Sequence, residues 1–482
     1  MARYTRSGFI RLFTFLFVAA FLVGCGTVDK QAEMYNPIKE YAEKGDPTFK
    51  YDLHKTIEGD GYKTHILRMV SGQWLTTKEV KYPEWWHWVH IVVPEEVKNS
   101  TALLFIGGGD RDPDEPEDAN GLLTALAKNT SSIAIHLHNV PNQPTEFVGD
   151  DFGPRAEDEL IAYGWREFME AGAGKESVEW LARLPMTRAA VRAMDAAQDY
   201  SAKNLEHTID GFVVAGGSKR GWTTWATAIA DERVVAIAPI VIDLLNTVPS
   251  FMHHWKAYGE WSPAVGDYVT EGVMDWFGSV EFEKLLEMVE PYSYRHMLTL
   301  PKMMINGTCD EFFLNDSWQF YWDDLLGEKH IRYVPNAGHS LDDTDAGETL
   351  IAFFNHIATG TPRPEFDWKV ENGEILIKTD PAFVPKEVRL WSAVNEEARD
   401  FRIYVVGEAW SSEVVPLAEN GEYRLSVETP TKGWKAFMGE LTFEGAGGIP
   451  FKMTTGVVVT PETLPYPEFE TSNPQGTRVS SK

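Results

Sequence analysis

Cysteine is nearly missing from this chain: 482 residues hold two, Cys25 and Cys309. Two cysteines cannot build a disulfide framework, and neither a CxxC pair nor a His/Cys zinc pattern is present. No metal and no cofactor are therefore expected. Positive charge is also scarce, with 44 lysines and arginines against 72 acids and a formal net charge of −28. A surface so acidic repels phosphate backbones and excludes nucleic-acid binding as an expectation; it equally disfavours adsorption to anionic lipid by charge alone. Internal repeats and low-complexity tracts are lacking. Only one long uncharged apolar run occurs, Leu12 to Val23. It is too short to span a bilayer comfortably.

That run follows Arg3, Arg6 and Arg11 and precedes Leu22-Val23-Gly24-Cys25. A basic start, an apolar stretch and a small-residue end make a secretory signal peptide. The last four residues resemble a bacterial lipobox, which implies diacylglycerol on the Cys25 sulfur and cleavage before it. Residues 1–24 are then the signal peptide and 25–40 a tether. Loss of three arginines leaves 41 basic residues against 72 acidic, a net −31. Gly26 stands where an inner-membrane retention aspartate often stands, so the expected address is the outer membrane of a cell envelope. Cys309 is then an unpaired thiol, expected to be small and buried rather than reactive.

Beyond the tether, short apolar runs alternate with helical stretches from about residue 100 to 360. The runs are Leu103–Ile106, Ser132–Leu137, Gly211–Ala215, Val234–Val241, Lys302–Ile305 and Ile331–Val334. Helices are read at Met186–Ala202, after Ser218 and at Ala346–Ala358. This alternation predicts an α/β fold with a mainly parallel, doubly wound sheet over residues 41–362, preceded by β-rich segments at 60–100. An aromatic-rich insert, about 244–294, is either a cap over a site or a helical bulge packed on itself. After Gly360-Thr361-Pro362 the texture changes to short alternating runs (EILIKT, EVRLWSAV, FRIYVVG, YRLSVET), which predict an all-β, sandwich-like domain over 363–465. Residues 466–482 are expected to be a disordered tail.

The sharpest local signal is Gly211-Phe-Val-Val-Ala-Gly216-Gly217-Ser218-Lys219-Arg220-Gly221-Trp222. A buried strand meets a helix through glycines with a serine at the turn, which lifts the hydroxyl above the sheet's carboxyl edge. The N–H of Lys219 starts the helix and is an oxyanion donor candidate. A P-loop would need its lysine before the serine, so a phosphate site is excluded. Downstream, Asp310 and His339 each lie just past a predicted strand, giving the order Ser, Asp, His expected of such folds. Asp243, after the fourth strand, is an alternative carboxylate. Gly107-Gly108-Gly109 follows an early strand, so Gly108 and Gly109 are candidates for the second oxyanion donor. Arg155, Asp158, Arg220 and Trp255 are candidate substrate-binding residues.

The segments GGSKRGWTTWATAI, INGTCDEFF and RYVPNAGHS resemble the PhoPQ-activated pathogenicity-related proteins, a family that includes secreted autocrine proliferation repressors. The resemblance covers roughly residues 35–460. It implies an α/β-hydrolase fold and export, and carries Asp310 and His339 over by motif position. The G-x-S-x-x-G spacing is also similar to that of glucuronoyl esterases, which implies that Lys219 or Arg220 assists an oxyanion. The expected function is an exported serine hydrolase of ester or peptide bonds working through an acyl-enzyme on a small-molecule ester or peptide. The competing expectation is a non-catalytic envelope protein that binds a cationic peptide or a protein on a hydrolase scaffold. Substrate and oligomeric state are left open.

Overall fold

The computed structural model describes residues 35–117 and 119–479. The expected signal peptide, the lipidation cysteine Cys25 and most of the tether lie outside the described residues. Helix α1 (Pro37–Glu43) begins where Asn36 caps it, its side chain accepting from Lys39 N–H at 3.0 Å. No helix of the described residues is long and apolar enough to cross a membrane.

Two long hairpin-forming strands come first, β1 (Lys50–Gly59) and β2 (Tyr62–Gln73), then β3 (Glu84–Pro94). The central strands are β4 (Thr101–Ile106), β5 (Ala134–Leu137), β6 (Gly211–Gly217), β7 (Val234–Ile240), β8 (Lys302–Gly307) and β9 (Lys329–Val334). Together they make one sheet of order β1-β2-β3-β5-β4-β6-β7-β8-β9. From β5 to β9 every pairing is parallel, whereas β1, β2, β3 and β5 pair antiparallel. The central strands are buried almost without alternation because helices cover both faces. On one face lie α1, α4 (Arg183–Asn204) and α5 (Lys219–Ala230); on the other lie α2 (Gly121–Thr130) and α9 (Ala346–Thr359). This is an α/β-hydrolase architecture.

Helix α3 (Glu157–Glu170) flanks the insert, which holds α6 (Thr247–Tyr258), α7 (Gly266–Thr270) and α8 (Val280–Val289). The C-terminal region is all-β save one short α-helix and a 3-10 turn at Ala446–Gly448. Strands β10 (Phe366–Glu371), β11 (Glu374–Thr379) and β14 (Glu422–Leu425) form one sheet. Strands β12 (Glu387–Asn395), β13 (Ser411–Val415), β15 (Trp434–Glu444), β16 (Pro450–Thr454) and β17 (Val458–Thr460) form another. The run FRIYVVG, expected as a strand, is instead α10 (Ile403–Val406) in the β12–β13 connection. Its β-like composition is overridden by tertiary contact: Ile403 N–H donates to Cys309 O at 2.9 Å, and the Arg402 guanidinium is tied to Asp400.

The segment expected to be a disordered tail is docked on the insert. Tyr466 N–H donates to Lys256 O (3.1 Å) and Thr477 O accepts from Val280 N–H (2.8 Å). Phe469 lies 4.8 Å from the Trp255 ring and 4.9 Å from Trp261. Its polar composition suggested disorder, but Tyr466 and Phe469 give it apolar area to bury, and Glu281 receives the Thr477 N–H at 2.8 Å.

Candidate active site

Ser218 links β6 to α5 with φ 56° and ψ −125°, a backbone conformation that a non-glycine residue adopts only under constraint. The constraint is visible: Ser218 N–H donates to Ile240 O on β7 (2.8 Å), and Ser218 O accepts from Trp222 N–H (3.0 Å). The spacing G-x-S-x-x-G has a steric cause. A Cβ on Gly216 would lie 2.8 Å from Arg220 O, and one on Gly221 would lie 2.9 Å from both Gly216 O and Ile240 O. Gly217 has no such crowding. The second required glycine is therefore the one where the first turn of α5 meets the strand ends, three residues after the serine.

Asp310 and His339 come together at the carboxyl ends of β8 and β9. Asp310 Oδ2 lies 2.8 Å from His339 Nδ1, and its Oδ1 accepts from the N–H groups of Phe312 (2.7 Å) and Phe313 (3.1 Å). His339 N–H donates to Glu311 Oε2 at 2.7 Å, and Phe312 lies against the imidazole with ring centroids 4.1 Å apart. Nε2 of His339 is buried without a hydrogen-bond partner among the described residues, so a Ser218–His339 hydrogen bond is not formed in this structure. Such links often close only with substrate bound.

The competing carboxylate, Asp243, is committed elsewhere. Its Oδ2 accepts from Tyr333 at 2.6 Å and its Oδ1 from Tyr321 at 2.5 Å. Burial pushes its pKa up to about 7, with the neighbouring charges of Asp310 and Asp316 adding to the rise and the two tyrosines opposing it. With both Asp243 oxygens taken by tyrosines, Asp310 is the carboxyl that faces the imidazole.

Both site loops are braced by the C-terminal β region, which the sequence reading treated as a separate appendage. Asn336 and Trp410 exchange hydrogen bonds (2.8 and 2.9 Å), Ile403 holds Cys309 O, and Arg399 meets Asp316 Oδ2 at 2.5 Å. Both oxygens of Asp316 also lie 3.0 Å from His253 Nε2. Burial opposes ionisation of Asp316, yet Arg399 and His253 hold its carboxyl far below the usual range. Cys309 is buried, and burial raises its thiol to about 11, so it is not a thiolate nucleophile.

Ser218 opens onto a narrow, mostly apolar chamber between walls formed by Trp165, Trp222, Phe251, Phe277, Phe282 and Phe312, among others. The insert supplies much of its roof, so the insert caps the site. Asp158 lines the chamber; it accepts from Tyr268 Oη (3.0 Å) and pairs with Lys219 Nζ (2.9 Å). Lys219 also meets Glu157 Oε2 at 2.8 Å.

Five sequence candidates sit differently. Arg155 is buried outside the chamber lining, clamped by Asp150 (2.6 Å) and Glu271 (2.7 Å). Trp255 packs on Trp261 and Phe469 and does not line the chamber, its indole covering the C-terminal segment. Arg220 donates to Val140 O (2.5 Å) and Glu157 Oε1 (2.6 Å), which occupies it as a brace. Burial opposes the shift, but Arg220 and Lys219 together pull the Glu157 carboxyl down to about 2. Gly108 and Gly109 follow β4 beside the elbow, with Ile106 in register with Gly216, but neither lines the chamber. A Cβ on Gly108 would meet the Arg220 guanidinium at 2.7 Å, and one on Gly109, at φ +123°, would meet Asn139 Oδ1 at 3.0 Å. Their small size makes room for these two side chains. Arg183, which sequence reading missed, lines the chamber; its only signal was a cation inside the apolar run Leu181-Ala-Arg-Leu-Pro-Met186. Among the described residues, no cluster of three or more His, Cys, Asp or Glu is placed to hold a metal.

Solved structures similar to this chain include acetyl xylan esterases from a Paenibacillus species (12% identity, TM-score 0.45, covering 67% of this chain and 92% of that one) and from Thermoanaerobacterium (12%, 0.41, 63% and 87%). An acylaminoacyl peptidase from Pyrococcus horikoshii matches with 13% identity and a TM-score of 0.40, covering 67% of this chain and 51% of that one. Autocrine proliferation repressor protein A of Dictyostelium discoideum is 36% identical over 457 residues, 89% of this chain and 91% of that protein. Residues 38–402 match the family described as PhoPQ-activated pathogenicity-related protein, and the chain belongs to that family.

Proposed function

We propose that this α/β-hydrolase is an exported serine hydrolase that cleaves a carboxylic ester or peptide bond through an acyl-enzyme. Ser218 Oγ attacks the acyl carbon while His339 Nε2 takes its proton. The tetrahedral intermediate collapses as the bond to the leaving oxygen or nitrogen breaks, and His339 returns the proton to that atom. Water, deprotonated by the same imidazole, then attacks the acyl carbon, releasing the acid and restoring Ser218. Asp310 holds the Nδ1–H tautomer and stabilises the imidazolium. The N–H of Lys219, first residue of α5, faces the developing oxyanion; the first N–H groups of a helix lack intrahelical acceptors.

The observation that carries this reading is the Asp310–His339 pair at 2.8 Å, its imidazole stacked on Phe312, which shares the chamber with the strained Ser218. The leader and lipobox-like Leu22-Val23-Gly24-Cys25 support export and a lipid anchor at Cys25 in the envelope. A panel of p-nitrophenyl esters, uronate esters and blocked peptides tests the activity. Hydrolysis by the mature chain is expected to fall by about 10³-fold or more in Ser218→Ala. Equal turnover in that variant, or none in the intact folded chain while its biological effect survives Ser218→Ala, would favour a binding protein.

A further inference from the structure

Six arginines among the described residues are buried to 5% exposure or less: Arg155, Arg183, Arg188, Arg332, Arg399 and Arg402. Five have a carboxylate within 4 Å, namely Asp150 and Glu271, Asp46, Asp345, Asp316 and Asp400 respectively. Arg183 has none. Its hydrogen bonds among the described residues leave from Nη1 alone, to Lys219 O, to Thr223 Oγ1 at 2.9 Å and to Met186 Sδ at 3.8 Å, all neutral acceptors, and its guanidinium carbon lies 5.0 Å from the Trp222 ring centroid. Nε and Nη2, the edge of the guanidinium that suits a carboxylate bidentately, donate to no protein group. Burial pushes Arg183 down to about 10, with Arg220 adding to the fall and Tyr268 and Asp158 opposing it, so the group stays charged at neutral pH.

A buried charge without a counter-charge is costly, and proteins normally pair it. Here it stands in the wall of the chamber onto which Ser218 opens. The other cation of that wall, Lys219, is already matched by Asp158 and Glu157. Apart from Asp158, Ser218 and Thr247, the rest of the lining is aromatic or aliphatic. We infer that Arg183 receives a carboxylate of the substrate while the aromatic walls hold an adjoining ring or branched chain, as in a peptide ending in an aromatic or branched residue or an acylated aromatic hydroxy acid. This rests on the hydrolase reading and names its substrate class. Arg183 sits on the carbonyl of Lys219, so the bound carboxylate lies close to the elbow and therefore near the scissile bond.

The probes are 3-phenylpropanoate and its neutral amide, titrated calorimetrically into full-length mature Ser218→Ala protein at pH 7.5. The carboxylate is expected to bind at least about 10-fold tighter than the amide, a charge-assisted hydrogen-bond effect of about 1.4 kcal/mol or more. Arg183→Gln is expected to abolish the preference, and Arg183→Lys to restore part of it by charge without the fork. Should Arg183→Gln fail to fold, the amide comparison and its salt dependence in the Ser218→Ala protein still decide. Equal affinity for the two probes, binding of neither, or a preference that survives Arg183→Gln overturns the inference. Fluorophosphonate labelling of the unsubstituted chain separates the two claims. A chain that labels without discriminating the probes sinks this inference alone. One that discriminates without labelling sinks the hydrolase reading instead.

Discussion

Asparagine in place of Asp243 keeps the shape and hydrogen-bonding capacity of a protonated carboxyl while removing its ability to ionise. In the fold this carboxyl is fully buried between Tyr321 and Tyr333, and its pKa stands near 7 against an ordinary 3.8. A carboxyl whose folded pKa is raised supports the fold fully below the unfolded value and withdraws that support as pH climbs to the folded one. Between pH 5 and 7 the unfolded chain has released this proton and the folded chain largely retains it. The support lost over the interval then amounts to roughly 2–3 kcal/mol. Unfolding free energies from guanidinium titrations at pH 5, 6 and 7, compared between the natural chain and Asp243→Asn, isolate this group, because all other titrations cancel in the difference. The variant is expected to gain on the natural chain by roughly 2–3 kcal/mol from pH 5 to pH 7. Parallel pH dependences would mean that Asp243 is ionised in the fold. That would refute the reading of Asp243 as a buried carboxyl held protonated between its two tyrosines.

Further outcomes follow from the same contacts. Arg399→Met strands the buried Asp316 with His253 alone and is expected to cost about 3–5 kcal/mol of unfolding free energy, loosening both site loops. His339→Ala and Asp310→Asn are each expected to lower turnover on any hydrolysed ester on the order of 10³- to 10⁴-fold, with unchanged circular dichroism. Gly221→Ala drives a Cβ to 2.9 Å from two carbonyl oxygens and is expected to yield insoluble or inactive protein, whereas the uncrowded Gly217→Ala folds. Cys25→Ser is expected to abolish incorporation of labelled palmitate during expression in a bacterial host, and retained incorporation would exclude Cys25 as the lipid site.

The architecture was legible because its signals are local. Strands such as Gly211–Gly217 hold continuous apolar runs, and the elbow glycines, Asp310 and His339 each lie within a few residues of a strand end. What was not legible depends on partners far along the chain. Asp243 and Asp310 both follow core strands, and what tells them apart is the tyrosines 78 and 90 residues beyond Asp243 and the His339 contact of Asp310. Arg155 resembled a substrate clamp until Glu271, 116 residues away, took its guanidinium. Trp255 resembled a pocket wall, but Phe469 of the C-terminal segment covers it. Arg183 escaped notice for the opposite reason: its meaning lies in a carboxylate that the chain does not supply.

The most direct measurement is mass-spectrometric mapping of a fluorophosphonate probe on the folded, mature chain. The account predicts a single modified residue, Ser218, with labelling slowed on the order of 10³-fold in His339→Ala. Modification at another serine, or no modification of folded protein that still hydrolyses an ester, would contradict it.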